Sequence, residues 1–156
     1  MQDKKENQVV LIGYSGHGYV PAEILLLMGY QLTTYCDKES KSYNPFNLIY
    51  KGQEKDFFSS KEINLSKWQA FIGIGDNQIR EKIYYNLLGK KIETVNAIHP
   101  KAIISGSVKT GNALMIAAGA IINPLTTLSN GVICNTGCII DHECIIDEFA
   151  HIAPGT

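Results

Sequence analysis

Only one arginine, Arg80, stands among the 14 basic residues of this 156-residue chain, and 15 acidic residues bring the net charge to -1. A nucleic-acid binder concentrates Lys and Arg to displace counterions from phosphates, so that class is excluded. Cysteine is also sparse. Cys36, Cys134, Cys138 and Cys144 are too few and too unevenly placed for a disulfide-stapled secreted scaffold, and a reducing cytoplasm is the expected compartment. No apolar run approaches the roughly 20 residues that span a bilayer. The polar start MQDKKENQ leads straight into VVLIG, so neither a signal peptide nor a membrane anchor is expected. What is present, 45% hydrophobic and 19% charged residues, suits an ordinary globular core in one or two small domains.

The chain has two grammars. From Val9 to about Val95, short apolar runs alternate with helix-like stretches, as in βαβ units around a mostly parallel sheet. VVLIG reads as a buried first strand. A glycine-rich turn follows, then a helix with Pro21 in its first turn, AEILLLM as its body and Gly29 at its end. QLTTYC is a second strand ending at Asp37, and KESKSYNPF is a polar loop, expected to be mobile, before the short strand NLIYKG. FIGIG at Phe71–Gly75 reads as a fourth strand. Asn77 then caps a helix whose Ile79, Ile83, Leu87 and Leu88 share one face.

From Ile98 the period becomes six. Every sixth residue from there is Ile98, Ile104, Thr110, Ile116, Ile122, Leu128, Cys134, Ile140, Ile146 and Ile152, aliphatic except at Thr110 and Cys134. Four residues further along each hexad the chain is nearly always small: Ala102, Val108, Leu114, Ala120, Thr126, Val132, Cys138, Cys144, Ala150 and Thr156. No helical face has period six. The pattern predicts a solenoid of triangular coils, three hexads to a coil, with both sets of residues pointing into a narrow interior. The domains are therefore expected at 1–97 and 98–156, with His99 and Pro100 at the entry to the first coil.

Several groups carry chemistry. Gly13-x-x-Gly16-x-Gly18, between a strand and a helix, can turn backbone N–H groups and a helix N-terminus toward a pyrophosphate, or it is simply a tight turn. Asp37, at the end of the second strand, favours the ligand-binding alternative. The turn is no nucleophile elbow, because Gly13-Tyr14-Ser15-Gly16-His17 lacks the glycine two residues after the serine. Within IDHECI the inward slots belong to Ile140 and Cys144, so His142 lies outside the coil, where an imidazole could accept a proton near pH 7. Cys134, Cys138 and Cys144 occupy inward slots on different faces and cannot converge with His142. They read as core residues, and no metal site is expected.

The hexads resemble the left-handed parallel β-helix of the acyltransferases that use coenzyme A thioesters. Together with GYSGHG, FIGIGDNQIR and INPLTTLSNGVICNTGCIIDHECII they resemble sugar acetyltransferases that carry an N-terminal nucleotide-sugar domain. Members of that family N-acetylate a UDP-4-amino sugar on the way to bacillosamine, and relatives act on perosamine or O-acetylate sialic acid. The expected architecture is thus a Rossmann-like α/β domain followed by a C-terminally short left-handed β-helix. The resemblance implies acetyl-CoA as acyl donor, a UDP-amino sugar as acceptor and a homotrimer with its active sites between β-helices. It places Ser15, Gly16, His17 and Gly18 near the phosphates and Asp37 near the base or ribose, with Gly75, Asn77 and Arg80 at the next strand-to-helix junction. Arg80 could equally be a solvated helix residue. It assigns His142 as general base with Glu143 beside it, and brings Asn135 and His151 to the thioester or the reacting amine. The family continues past the point matching Thr156 with coils that bind pantetheine and complete the oxyanion site. The rival readings are a sugar O-acetyltransferase and a non-catalytic nucleotide-sugar-binding or trimerisation module.

Overall fold

The computed structural model describes residues 8–156; residues 1–7, on which the reading of the N-terminus rests, lie outside the described residues. β1 (Gln8–Ile12), β2 (Gln31–Cys36), β3 (Ile49–Tyr50) and β4 (Trp68–Ile72) form one parallel sheet in the order β3-β2-β1-β4. Between them run α1 (Gly16–Leu27) and the short α2 (Glu54–Phe57), and α3 (Asn77–Gly89) follows β4. The polar loop after β2 is tied down by four tyrosines. The Tyr14 hydroxyl donates to Asn44 and accepts from the Phe46 N–H, the Tyr35 hydroxyl accepts from the Lys41 N–H, and the Tyr19 and Tyr50 hydroxyls donate to the carbonyls of Tyr43 and Asp37.

Several local expectations shift. α1 begins at Gly16, so Pro21 lies inside the helix, not in its first turn; Gly29, at φ +78°, does follow its end. β4 starts at Trp68 and stops at Ile72, ahead of the expected FIGIG span. Backbone crowding explains the stop. A Cβ at Gly73 would come within 2.7 Å of the Gly13 oxygen and 3.1 Å of the Gly18 Cα, so β1, α1 and β4 meet here through glycines. The cap of α3 is Asp76, whose carboxylate accepts the Ile79 N–H at 2.9 Å, and Asn77 is the first helical residue. The buried face of α3 is Arg80, Ile83, Tyr84 and Leu87, while Ile79 and Leu88 are exposed.

The second half is a left-handed parallel β-helix. Its first face stacks β5 (Ala97–Ile98), β8 (Met115–Ile116), β11 (Ile133–Cys134) and β14 (His151–Ile152). The second stacks β6 (Ile103–Ile104), β9 (Ile121–Ile122) and β12 (Ile139–Ile140), and the third β7 (Lys109–Thr110), β10 (Thr127–Leu128) and β13 (Ile145–Ile146). The interior holds Leu114, Ile116, Ala120, Ile122, Leu128, Val132, Cys134, Cys138 and Ile140 in one apolar cluster. Thr110, the polar break in the hexads, is exposed, whereas Thr126 is fully buried and donates its hydroxyl to the Asp141 carbonyl at 2.8 Å. The corners also repeat every six residues: Ala113, Gly119, Leu125, Gly131, Gly137, Glu143, Phe149 and Gly155 all have φ between 56° and 71°. From Ala113 onward, left-handed backbone at one corner of each hexad is the local device that turns the chain onto the next face.

The two halves share their cores. Ala97, Met115, Ala117 and Ile133 pack with Val9, Leu11, Leu25 and Phe71 on the α1 side of the sheet, and Ala113 and Phe149 join Ile12, Ile83 and Leu87 on the α3 side. Ile133, which points out of the coil, is therefore covered by the N-terminal half and is unavailable to another subunit.

Candidate functional site

The turn after β1 bounds a cleft of about 620 Å³, lined by Gly13, Ser15, Asp37, Lys38, Glu54, Ile79 and Lys82 among others. Ser15 occupies the cap position of α1 without a side-chain bond to the helix, so its hydroxyl can face the cleft. The first N–H groups of a helix lack intrahelical acceptors and carry the positive end of its dipole, which suits an anion. Space decides which glycines matter. A Cβ on Gly18 would overlap the Gly13 carbonyl oxygen, whereas one on Gly16 would meet nothing within 4 Å, leaving its backbone open to a ligand. Asp37 is committed to the protein. Oδ2 accepts the Tyr14 N–H at 2.9 Å, Oδ1 accepts the Lys38 N–H at 2.7 Å, and the Lys41 ammonium lies 3.3 Å away.

Arg80 is neither solvated nor open to substrate. It is 1% exposed, and all five of its N–H groups are engaged. Nε donates to the Gly131 carbonyl, Nη1 to the carbonyls of Ile74 and Gly75, and Nη2 to Asn77 Oδ1 and the Phe149 carbonyl. Gly75 and Asn77 thus serve Arg80, and Arg80 joins the α3 junction to two corners of the coil. Burial draws its pKa down to about 10, so it remains charged at neutral pH.

His17 reaches from α1 toward this junction. Its ring lies 5.9 Å from that of His151, and Asn135 Nδ2 lies 2.9 Å from His151 Nε2. An amide nitrogen only donates, so Nε2 accepts and the His151 proton sits on Nδ1. Burial, His151 and then Arg80 lower the pKa of His17; burial and then Arg80 lower that of His151. Both imidazoles are neutral at pH 7.

His142 forms a separate group outside the coil, just past β12. Its Nδ1 lies 3.0 Å from Glu143 Oε2, and its backbone N–H donates to Asp141 Oδ1 at 2.8 Å. An ionised carboxylate only accepts, so this contact fixes the proton on Nδ1 and leaves Nε2 unprotonated, 4.0 Å from Asp141 Oδ1, on a side chain that is largely exposed. Glu143 is a left-handed corner residue, φ 56°, and that backbone is what brings its carboxylate alongside the ring. One chain thus brings together the cleft on one side and His17, His151 and Asn135 at the junction, with His142 and Glu143 at a free corner.

Cys134 and Cys138 lie in the coil interior with Cys144 packed against them, and Cys36 is buried at the end of β2. Cys134 and Cys138, although on successive faces, hydrogen-bond to each other, and burial pushes the Cys134 thiol up to about 12. Among the described residues no group of three or more His, Cys, Asp or Glu is placed to hold a metal ion, and no helix is long and apolar enough to cross a membrane.

Residues 8–87 match the PglD N-terminal domain family. The chain belongs to that family. Its fold is similar to that of the acetyltransferase domain of PglB from Neisseria gonorrhoeae FA1090, solved in complex with acetyl coenzyme A: TM-score 0.87, 28% identity, covering 96% of this chain and 72% of that one. It is also similar to PerB from Caulobacter crescentus, solved with CoA and GDP-perosamine: TM-score 0.84, 30% identity, covering 95% of this chain and 69% of that one. WeeI from Acinetobacter baumannii AYE, at 18% identity and TM-score 0.72 over 95% of this chain and 70% of that one, shares the fold. The family's N-terminal domain and the hexapeptide-repeat β-helix behind it make this a nucleotide-sugar acetyltransferase architecture.

Two functional features escaped the sequence. Two of Arg80's acceptors, the Gly131 and Phe149 carbonyls, lie on the coil, and the pairing of His17 with His151 joins distant segments. Neither leaves a local signal.

Proposed function

We propose that the chain transfers an acetyl group from acetyl-CoA to the amino group of a nucleotide-linked amino sugar, with His142 as general base. The enzyme is an acyltransferase, and both similar structures with bound ligands hold a coenzyme A species. One of them also holds a nucleotide-linked perosamine. In this reading residues 1–97 hold the nucleotide sugar and residues 98–156 supply the catalytic base. The observation that carries it is the exposed His142 ring with Nδ1 3.0 Å from the Glu143 carboxylate, a contact that favours the tautomer with an accepting Nε2.

The chemistry follows from that atom. As the sugar amine attacks the thioester carbonyl, a C–N bond forms, the C–S bond breaks and the amine proton passes to Nε2. Glu143 stabilises the imidazolium, which can return the proton to the departing thiolate. His142 is 64% exposed in its side chain, so a single coil leaves the reacting atoms in water. We therefore place the site at a seam in a homotrimer, where the junction group His17, His151 and Asn135 of a neighbouring copy can face the acyl donor. The free thiols of all four cysteines favour a cytoplasmic setting.

The test is acetyl transfer to a panel of nucleotide-linked amino and hydroxy sugars. His142→Ala should lower kcat by about 10²–10⁴-fold with little change in nucleotide-sugar affinity. Near-normal turnover by the variant would remove His142 from the mechanism, and transfer to hydroxyl acceptors alone would make the enzyme an O-acetyltransferase.

A further inference from the structure

We infer that the cleft selects a guanine nucleotide over a uracil one, with Glu54 reading the base; this rests on the nucleotide-sugar reading above and deepens it. Three strand ends set the scale. Gly13 follows β1, Asp37 follows β2 and Gly52 lies just past β3, and they are tied in that order by the Gly13 N–H on the Cys36 carbonyl at 2.8 Å and the Asp37 N–H on the Gly52 carbonyl at 3.1 Å. With neighbouring strands about 4.8 Å apart, Gln53 and Glu54 lie roughly 10 Å from the phosphate-facing turn, the reach of a ribose and its base.

Asp37 already serves the Tyr14 and Lys38 N–H groups and Lys41. Glu54 lines the same cleft, half-buried, and among the described residues no hydrogen bond or ion pair engages its carboxylate. Its charge reaches the cleft floor, where the Cys36 thiol is pushed up to about 12 by burial first and by Glu54 next.

An ionised carboxylate is an acceptor only. Guanine presents N1–H and N2–H side by side, one for each oxygen. Uracil presents a single N3–H between two carbonyl oxygens, which a carboxylate repels. The Gln53 amide, unused as a helix cap, and the Lys38 ammonium remain to donate to guanine O6. Ile79, exposed on α3, and Ile83 supply an apolar wall for the ring. A site built around specific donors discriminates strongly against a base that lacks them.

Calorimetric titration of the chain with GDP and with UDP tests this. GDP should bind at least tenfold more tightly, and Glu54→Gln, whose amide can serve either base, should erase most of that preference by weakening GDP alone. Equal or tighter binding of UDP overturns the inference while leaving the nucleotide-sugar reading intact. An equal loss for both nucleotides in Glu54→Gln would mean that the carboxylate holds the ribose, which also overturns it. Failure of the unmodified chain to bind either nucleotide overturns the nucleotide-sugar reading and this inference together.

Discussion

Among the described residues no carboxylate bonds Arg80; its charge is met by four carbonyl oxygens and one side-chain amide. Arg80→Met would keep much of the volume but leave those acceptors without their donor. Leaving buried carbonyl acceptors unpaired costs about 1–3 kcal/mol each, so the variant should lose several kcal/mol, read as a lower urea midpoint. A change below about 1 kcal/mol would contradict the role described for it. The histidines near it give a second prediction. His17 and His151 titrate below their ordinary value in the folded chain, whereas the unfolded chain takes up protons at about 6.5. Stability is therefore full above that pH and falls as the pH drops through it toward the folded values. Thermal melts between pH 8 and 5 should show this decline, and His17→Asn with His151→Asn should flatten it; an unchanged slope would locate the acid sensitivity elsewhere. At this scale the sequence was a partial guide. His142 could be placed outside the coil because the hexad register names its inward neighbours, but Arg80 was left between a substrate contact and a solvated helix residue because two of its partners, Gly131 and Phe149, lie far along the chain.

Among the elements, the β-helix was the most legible part, since its hexads repeat one alternation of a large inward residue and a small one, with exceptions only at Thr110 and Cys134 in the large series. The α/β half was readable in its order but not in its ends. β4 stops where Gly73 must pass beside Gly13 and Gly18, and α1 starts at the same crowded point, so tertiary contact sets both limits. That crossing separates two glycines that look alike in sequence. Gly18→Ala would drive a Cβ into the Gly13 carbonyl, with backbone as the obstacle, and should destabilise the chain by about 1–3 kcal/mol. Gly16→Val faces open space in the unliganded protein. It should leave the melting temperature within a few degrees of the parent, less a modest β-branched helix penalty, while abolishing nucleotide binding by blocking the backbone. Parallel melting and calorimetry on the two variants would separate these effects, and retained nucleotide affinity in Gly16→Val would take the turn out of the site.

At the scale of the molecule, the coil is a prism with three unlike faces. The outward residues Ala97, Met115 and Ile133 of the first are buried under the N-terminal half. The third carries Lys109, Thr127 and Ile145. The second stacks Ile103, Ile121 and Ile139 in register, and Ile103 and Ile139 are 63% and 60% exposed. A continuous apolar row of this kind suits contact with another copy. His142 follows β12 by two residues, so a seam along this face would close beside the base. Three copies around one axis satisfy such contacts with closed symmetry, whereas an open head-to-tail arrangement would propagate. Ile139→Glu should therefore give a monomer in sedimentation and lower transfer with the fold intact. Ile145→Glu, no less exposed but on the third face, should leave both assembly and transfer unchanged. If Ile139→Glu sediments with the parent, the seam is not on this face, and the other wall of the His142 site has to come from elsewhere in the protein.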